Sequence, residues 1–152
     1  MSIQGMLYPE STCFGCGQAN PRGLHLQSFP SDSGVVATFL PSEEHGNGMG
    51  SLNGGIIATL LDCHSGAAVL AESSAGSEKL VDLWVTAGLN IRYRLPTNLE
   101  SSCELFAEIT DKSDTSMTVF ASLSTEGKVR VQAESRWARV RPRRGDIPAL
   151  TE

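Results

Sequence analysis

NGGIIATLLDCHSGAAVLAESSA, Asn53 to Ala75, is the stretch whose apolar spacing predicts the one long helix of this chain. Asn53 is a suitable N-cap, and Gly76, just past Ala75, is a suitable stop. At about 100° per residue, Ile56, Ile57, Leu60, Leu61, Ala67, Ala68 and Ala71 fall on one arc, which predicts the face that packs on a sheet. Asp62 points the opposite way, among Gly54, Gly55, Ala58, Thr59, Ser65, Gly66 and Val69. A solvated helix face would carry Lys, Glu, Gln or Arg at such positions. Small residues there predict that something approaches closely. Asp62 is also the single charge between Asn53 and Ala71.

C-terminal to the helix the period changes to two. In LWVTAGLNIRY, Leu83 to Tyr93, the odd positions are apolar or small and the even ones mostly polar, which predicts a long half-buried strand. Cys103 to Ile109, Met117 to Ser124 and Val129 to Val140 repeat the alternation, with turn residues between them. Upstream, Leu24 to Phe29 and Val35 to Leu40 read as two strands joined by Pro30 to Gly34, and residues 41–51 as a polar, glycine-rich loop. Short turns between successive strands imply an antiparallel meander. The fold class is α+β: one long helix wrapped by an antiparallel sheet of about five or six strands, since nothing else in the chain can cover the sheet's apolar face.

A length of 152 residues predicts one domain spanning 1–152, with an irregular N-terminal segment at 1–23 and a charged C-terminal tail at 142–152. The N-terminus lacks a basic segment followed by an apolar run, and no stretch is expected to reach membrane-spanning length, so a soluble cytoplasmic protein without a membrane partner is expected. A net charge of −5 gives no general attraction to nucleic acid. Arg130, Arg136, Arg139, Arg141, Arg143 and Arg144 crowd the C-terminal segment and read as a solvated strand face followed by the tail, with a phosphate contact as the alternative.

Cys13 and Cys16 stand in C-x-x-C spacing, two ligands where a structural zinc wants four. Further ligands would have to come from His25, Cys63 or Cys103, far apart in sequence, so free thiols and no metal are expected. His64 falls within the apolar arc, about 200° from Asp62, and is expected to be a hydrogen-bonded core residue. His25 and His45 belong to no G-x-S-x-G, H-E-x-x-H or P-loop motif, which excludes those chemistries.

The run EEHGNGMGSLNGGIIATLLD, Glu43 to Asp62, closely resembles the signature of hotdog-fold acyl-CoA thioesterases of the phenylacetate-pathway, or PaaI-like, type. CFGCGQANPRGL, Cys13 to Leu24, is similar to an N-terminal element in one branch of that family, and Thr86 to Tyr93 resembles the strand after its helix. The resemblance implies a hotdog fold that hydrolyses an acyl thioester, aromatic or medium-chain, without a cofactor. It implies Asp62 as catalytic carboxylate, acting as general base or nucleophile, and the Gly54 amide polarising the carbonyl. Asn47, Asn53 and Thr86 would support the reaction, with Gly55, Asn47 and Thr86 against the substrate. Asn53 stands where many relatives have histidine before the two glycines, a position where Asn can hold a carbonyl or cap the helix.

The chemistry is consistent with these roles. A helix N-terminus offers unpaired N–H groups and partial positive charge to an oxyanion, and a thiol with a pKa of about 8–9 leaves readily as thiolate. Thr86 has the parity of Asn90 and Arg92, so a regular strand would turn it away from the helix. A bulge at Gly88, or a pocket at a dimer interface, would resolve the conflict. Gly54 and Asp62 lie about 12 Å apart along one helix, which predicts a homodimer with shared active sites, paired further into a dimer of dimers. A non-catalytic acyl-thioester-binding or sensing protein of the same fold is the alternative; dehydratase chemistry lacks an evident His and Asp/Glu pair.

Overall fold

The computed structural model describes residues 1–141. The expected tail at 142–152, with Arg143 and Arg144, lies outside them. Helix α1 (Ile3–Leu7) precedes strands β1 (Ser28–Ser31) and β2 (Gly34–Phe39), helix α2 (Gly54–Ser73), and strands β3 (Leu83–Tyr93), β4 (Cys103–Lys112), β5 (Ser116–Thr125) and β6 (Lys128–Val140). The strands form one six-stranded sheet in the order β1-β2-β4-β5-β6-β3, every pair antiparallel. Helix α2 lies against β2, β3, β4, β5 and β6.

The period-two pattern is a burial pattern in four of the strands. Val35, Ala37 and Phe39 of β2, Leu105 and Ala107 of β4, Val119, Ala121 and Leu123 of β5, and Val131, Ala133 and Trp137 of β6 enter the core with Ile57, Leu60 and Leu61 of α2. Each deposits alternate side chains on the helix side and leaves the others outside. Helix α2 is 20 residues long and apolar enough to span a bilayer by length and composition, which corrects the expectation that no stretch would be. The sheet accounts for that apolarity, because the helix is a core element packed on five strands.

Three further expectations are corrected. The first strand begins at Ser28, not Leu24, because the Leu24 and Leu26 amides donate to the carbonyls of Phe14 and Gly15 instead (2.7 and 3.0 Å). Residues 24–26 thus bind the Cys13–Cys16 loop to the body of the domain.

The second correction concerns β3. Its register against β6 shifts between Thr86 and Gly88, leaving Ala87 as an extra residue. Before the bulge Trp84 and Thr86 pair with Arg139 and Trp137, on the helix side. After it Leu89, Ile91 and Tyr93 do so, opposite Ser135, Ala133 and Val131. Strict odd-position inwardness therefore fails for Val85, which lies on the outer face and is 43% exposed.

Third, the small residues of α2 do not all form an open face. Ser65, Gly66 and Val69 are buried within the chain. A Cβ on Gly66 would come within 2.8 Å of the Trp137 ring, so this glycine makes room for a side chain of β6.

His64 is fully buried. The Ser28 hydroxyl donates to Nδ1 (2.9 Å) and Nε2–H donates to the Val35 carbonyl (3.0 Å). Gln4 Nε2 in turn donates to Ser28 Oγ (3.1 Å), while the Ser28 amide donates to Gln4 Oε1 (2.8 Å). The chain α1–β1–α2–β2 is thereby sewn together by one polar network, and burial pushes the His64 pKa down to about 4. Gln can retain at most part of these bonds. His64→Gln should lower stability by about 1–3 kcal/mol, read as a fall in Tm of roughly 3–10 °C. Turnover at 25 °C should stay within about twofold of wild type, because nothing in the network reaches Asp62.

Candidate active site

Asp62 sits midway along α2, half-buried, on the side facing the bulged part of β3. The Thr86 hydroxyl donates to Asp62 Oδ1 at 2.7 Å. This is the contact that a regular strand would have forbidden, and the bulge at Ala87 makes it. Burial holds the Asp62 carboxyl above its ordinary pKa, the Thr86 hydrogen bond pulls the other way, and the nearby Cys13 thiol adds to the rise. The pair borders a cavity of about 630 Å³ whose apolar walls include Tyr8, Leu70, Trp84 and Trp137. Trp84 Nε1 is buried there with no hydrogen-bond partner among the described residues.

The N-terminus of α2 forms a different place. Asn53 is exposed, and its Oδ1 accepts from the amides of Gly55 (2.8 Å) and Ile56 (3.3 Å). It is a capping side chain, so its oxygen is spent on the helix. The cap also takes up the Gly55 N–H. The Gly54 N–H has no acceptor among the described residues, while the Gly54 carbonyl accepts from the Tyr93 hydroxyl at 2.6 Å. Asn47 Oδ1 accepts from the amides of Met49 and Ser51 (2.8 and 3.1 Å), which fixes the loop and leaves its NH2 group without a partner among the described residues. Asn47, Gly54 and Tyr93 line a cavity of about 470 Å³. It shares no residue with the cavity at Asp62.

The structure thus brings Thr86 to Asp62 and Asn47 near Gly54, but it does not bring the two groups together within one chain. Sequence reasoning missed Tyr93, Trp84 and Trp137, and it named Cys63 only as one of three scattered candidates to join Cys13 and Cys16. Gly66 carried a signal for Trp137, since a glycine within a helix costs stability unless something needs the space. The Cys13 thiol adjoins Cys63 Sγ at 3.7 Å and is drawn down to about 5, chiefly by the Cys63 thiol and also by the Gly15 and Cys16 amides. The Cys63 thiol is pushed far up by Cys13, by Cys16 and by burial.

The protein-family description "Thioesterase superfamily" matches residues 49–132, more than half of the chain, from the loop before α2 to the start of β6. The chain belongs to the thioesterase superfamily. It is a thioester hydrolase of the hotdog fold. No curated protein matches it. Among solved structures, one thioesterase superfamily protein is 25% identical, with a TM-score of 0.66, over 82% of this chain and 61% of its own. This chain therefore spans less than two thirds of that relative's length. The PaaI protein from the phenylacetic acid degradation operon of E. coli is 16% identical with a TM-score of 0.67, covering 78% of this chain and 81% of its own. A Bacillus halodurans protein crystallised with CoA is 23% identical with a TM-score of 0.69, covering 79% and 77%. At these identities the latter two likenesses show the fold.

Removing the Thr86 hydroxyl should leave the sheet intact, because Thr86 lies on an exposed part of β3, but free the Asp62 carboxylate to turn. Thr86→Val is expected to lower kcat about tenfold or more, the scale of a hydrogen bond to a charged group, with Tm nearly unchanged. Steady-state kinetics alongside thermal melts separate the two effects.

Proposed function

We propose that this thioester hydrolase cleaves an acyl-CoA, with an aromatic or medium-chain acyl group, at sites completed by a second copy of the chain. The carrying observation is the division of the chemistry: the half-buried Asp62–Thr86 pair borders one cavity, and the unclaimed Gly54 N–H borders another. Eight residues of helix separate them, about 12 Å of axial rise. That is too far for both to act on one carbonyl and its attacking water.

The chemistry then follows from what each half offers. The thioester carbonyl oxygen takes the Gly54 N–H, at the positive end of α2, and its developing negative charge is stabilised there. Asp62, held by Thr86, takes a proton from a water as that water's oxygen bonds to the carbonyl carbon. The tetrahedral intermediate collapses by breaking the C–S bond, the electron pair leaving with sulfur as a thiolate that needs no general acid. Direct attack by Asp62, forming a mixed anhydride that water opens at the Asp62 carbonyl, is the alternative route. Single-turnover hydrolysis in ¹⁸O-water separates the two, since this route leaves label on Asp62 and the general-base route puts it in the released acid. The apolar walls beside Asp62, Trp84 and Trp137 among them, support an aromatic or similarly compact acyl group.

The sheet supports the partner's placement. Its β1 edge is 4 residues long and contains Pro30, whereas its β3 edge offers 11 residues with Leu89 and Tyr93 still 37% and 52% exposed. A two-fold axis beside β3 would continue the sheet and set the Gly54 end of one α2 toward Asp62 of the partner subunit.

Asp62→Asn should give a folded protein whose kcat is lower by about 10² to 10⁴; hydrolysis at the wild-type rate would overturn the assignment. Gly54→Pro deletes the donor at a position where proline is tolerated. When equal amounts of Gly54→Pro and Asp62→Ala chains are refolded together, half the dimers are mixed and each has one intact site of two. About a quarter of wild-type activity should return. A mixture with verified subunit exchange that stays as inactive as its parents would place the whole site within one chain.

A further inference from the structure

The Cys13–Cys16 loop lies directly on α2, beside the cavity but outside the reaction just described. The sulfur atoms of Cys13, Cys16 and Cys63 all lie within 4.8 Å of one another. Cys13 and Cys63 are separated by 50 residues in sequence, yet their sulfurs are 3.7 Å apart. That spacing is well beyond a disulfide bond. It is close to the edge of a tetrahedron of thiolates around zinc, about 3.8 Å for Zn–S bonds of about 2.3 Å.

The local backbone is shaped for the same purpose. Gly17 follows the second cysteine, and a Cβ there would overlap the backbone of Ser11 and Cys13, so the turn Cys13-Phe-Gly-Cys-Gly17 requires its glycine. The Gly17 amide donates to the Cys13 carbonyl at 2.9 Å, closing the turn. The amides of Gly15 and Cys16 face the Cys13 sulfur, an arrangement that stabilises a thiolate. A Cβ on Gly15 would overlap Cys63 Sγ, so this second glycine keeps the space between loop and helix clear. Behind Cys16, which is 6% exposed, stands the Tyr8 hydroxyl. The amides of Leu24 and Leu26 hold the loop from the other side. Three sulfurs converge, their loop is braced on both sides, and the group opens onto the cavity that Asp62 borders.

We propose that Cys13, Cys16 and Cys63 hold one zinc ion as thiolates, with the fourth coordination position filled by water from the cavity beside Asp62. Asp62 does not belong to the group of converging ligand atoms and stays free for its own chemistry. Such an ion would clamp the N-terminal segment onto α2 one residue from Asp62, fixing the wall of the cavity. His25 and Cys103 take no part: the His25 ring bonds the Asn20 carbonyl, and Cys103 is buried at the start of β4.

The test uses the full chain, purified under a thiol-free phosphine reductant, stripped with a chelator and reloaded with zinc(II) or cobalt(II). One equivalent of zinc per chain should bind and raise Tm. Cobalt(II) should give the intense visible bands of a tetrahedral site with sulfur-to-metal charge transfer in the near ultraviolet. Cys13→Ser, which alters an exposed side chain, and Cys63→Ala should each weaken zinc binding by about a hundredfold or more and abolish the charge-transfer bands. Cys103→Ser should leave both unchanged. The proposal is overturned if the reduced wild-type chain takes up less than a tenth of an equivalent, if the Cys63→Ala chain binds as wild type does, or if the chelator-free native protein carries a Cys13–Cys63 disulfide instead of metal. These readouts are independent of hydrolysis, so an inactive but zinc-loaded protein would count against the thioesterase assignment alone.

Discussion

One extra residue in one strand determines what faces the helix. Ala87 has no partner on β6, and the side chains on either side of it exchange faces. Upstream, this delivers Thr86 to the Asp62 carboxylate and Trp84 to the cavity wall; downstream, it delivers the Tyr93 hydroxyl to the Gly54 carbonyl. Without the bulge a strand anchored through Tyr93 would turn Thr86 away from α2, because every residue of a regular strand is bound to the parity of its neighbours. A single irregularity therefore lets one strand serve both the middle and the N-terminal end of the same helix. The bulge lies on the outermost strand, where an unpaired residue disturbs one ladder instead of two.

The fold was legible in the sequence to the extent that it depends on period. Helix α2 and strands β2, β4, β5 and β6 follow directly from spacing of 3.6 or 2, and Asp62 stood out because a lone charge between Asn53 and Ala71 lacks an ordinary surface role. Thr86 could be named only by resemblance, since period counting cannot register an inserted residue. The small residues of α2 were read as a sign of close approach, and part of that approach comes from within the chain. Trp137 fills the space over Gly66, and the Gly15 backbone lies against Cys63 and Thr59. Sequence cannot tell a neighbour in the same chain from one in another copy, because both impose the same steric demand. Cys63 was named beside His25 and Cys103 as a possible companion of Cys13 and Cys16, but nothing in the sequence could single it out, because the docking of an irregular loop carries no periodic signal. Leu24 to Gln27 failed as a strand for a related reason: their residue types suit a ladder, but the loop offered carbonyl partners first.

The N-terminal segment emerges from this as a second layer over the helix. Its short helix is tied to α2 through Gln4, Ser28 and His64, and its cysteine loop touches the opposite side of α2 at Thr59 and Cys63. Asp62 and His64, two residues apart, thus sit under different parts of the same segment. His64 is enclosed by a fully satisfied polar network that leaves it neutral, Asp62 by an apolar wall that raises its pKa. Adjacent positions on one helix acquire opposite chemical characters from what covers them.

The two borders of the sheet have unequal capacities for growth. At β1, a strand of 4 residues with a proline in it offers few backbone groups to a newcomer, and the proline nitrogen cannot donate at all. At β3, 11 residues remain available. A sheet with one receptive border can pair strands with another copy only border to border, and such a joining would leave nothing receptive behind. Head-to-tail addition, which needs two complementary borders on every copy, has no second site to propagate from. The placement of Pro30 thus works against strand addition at this border without requiring any residue to repel an incoming chain.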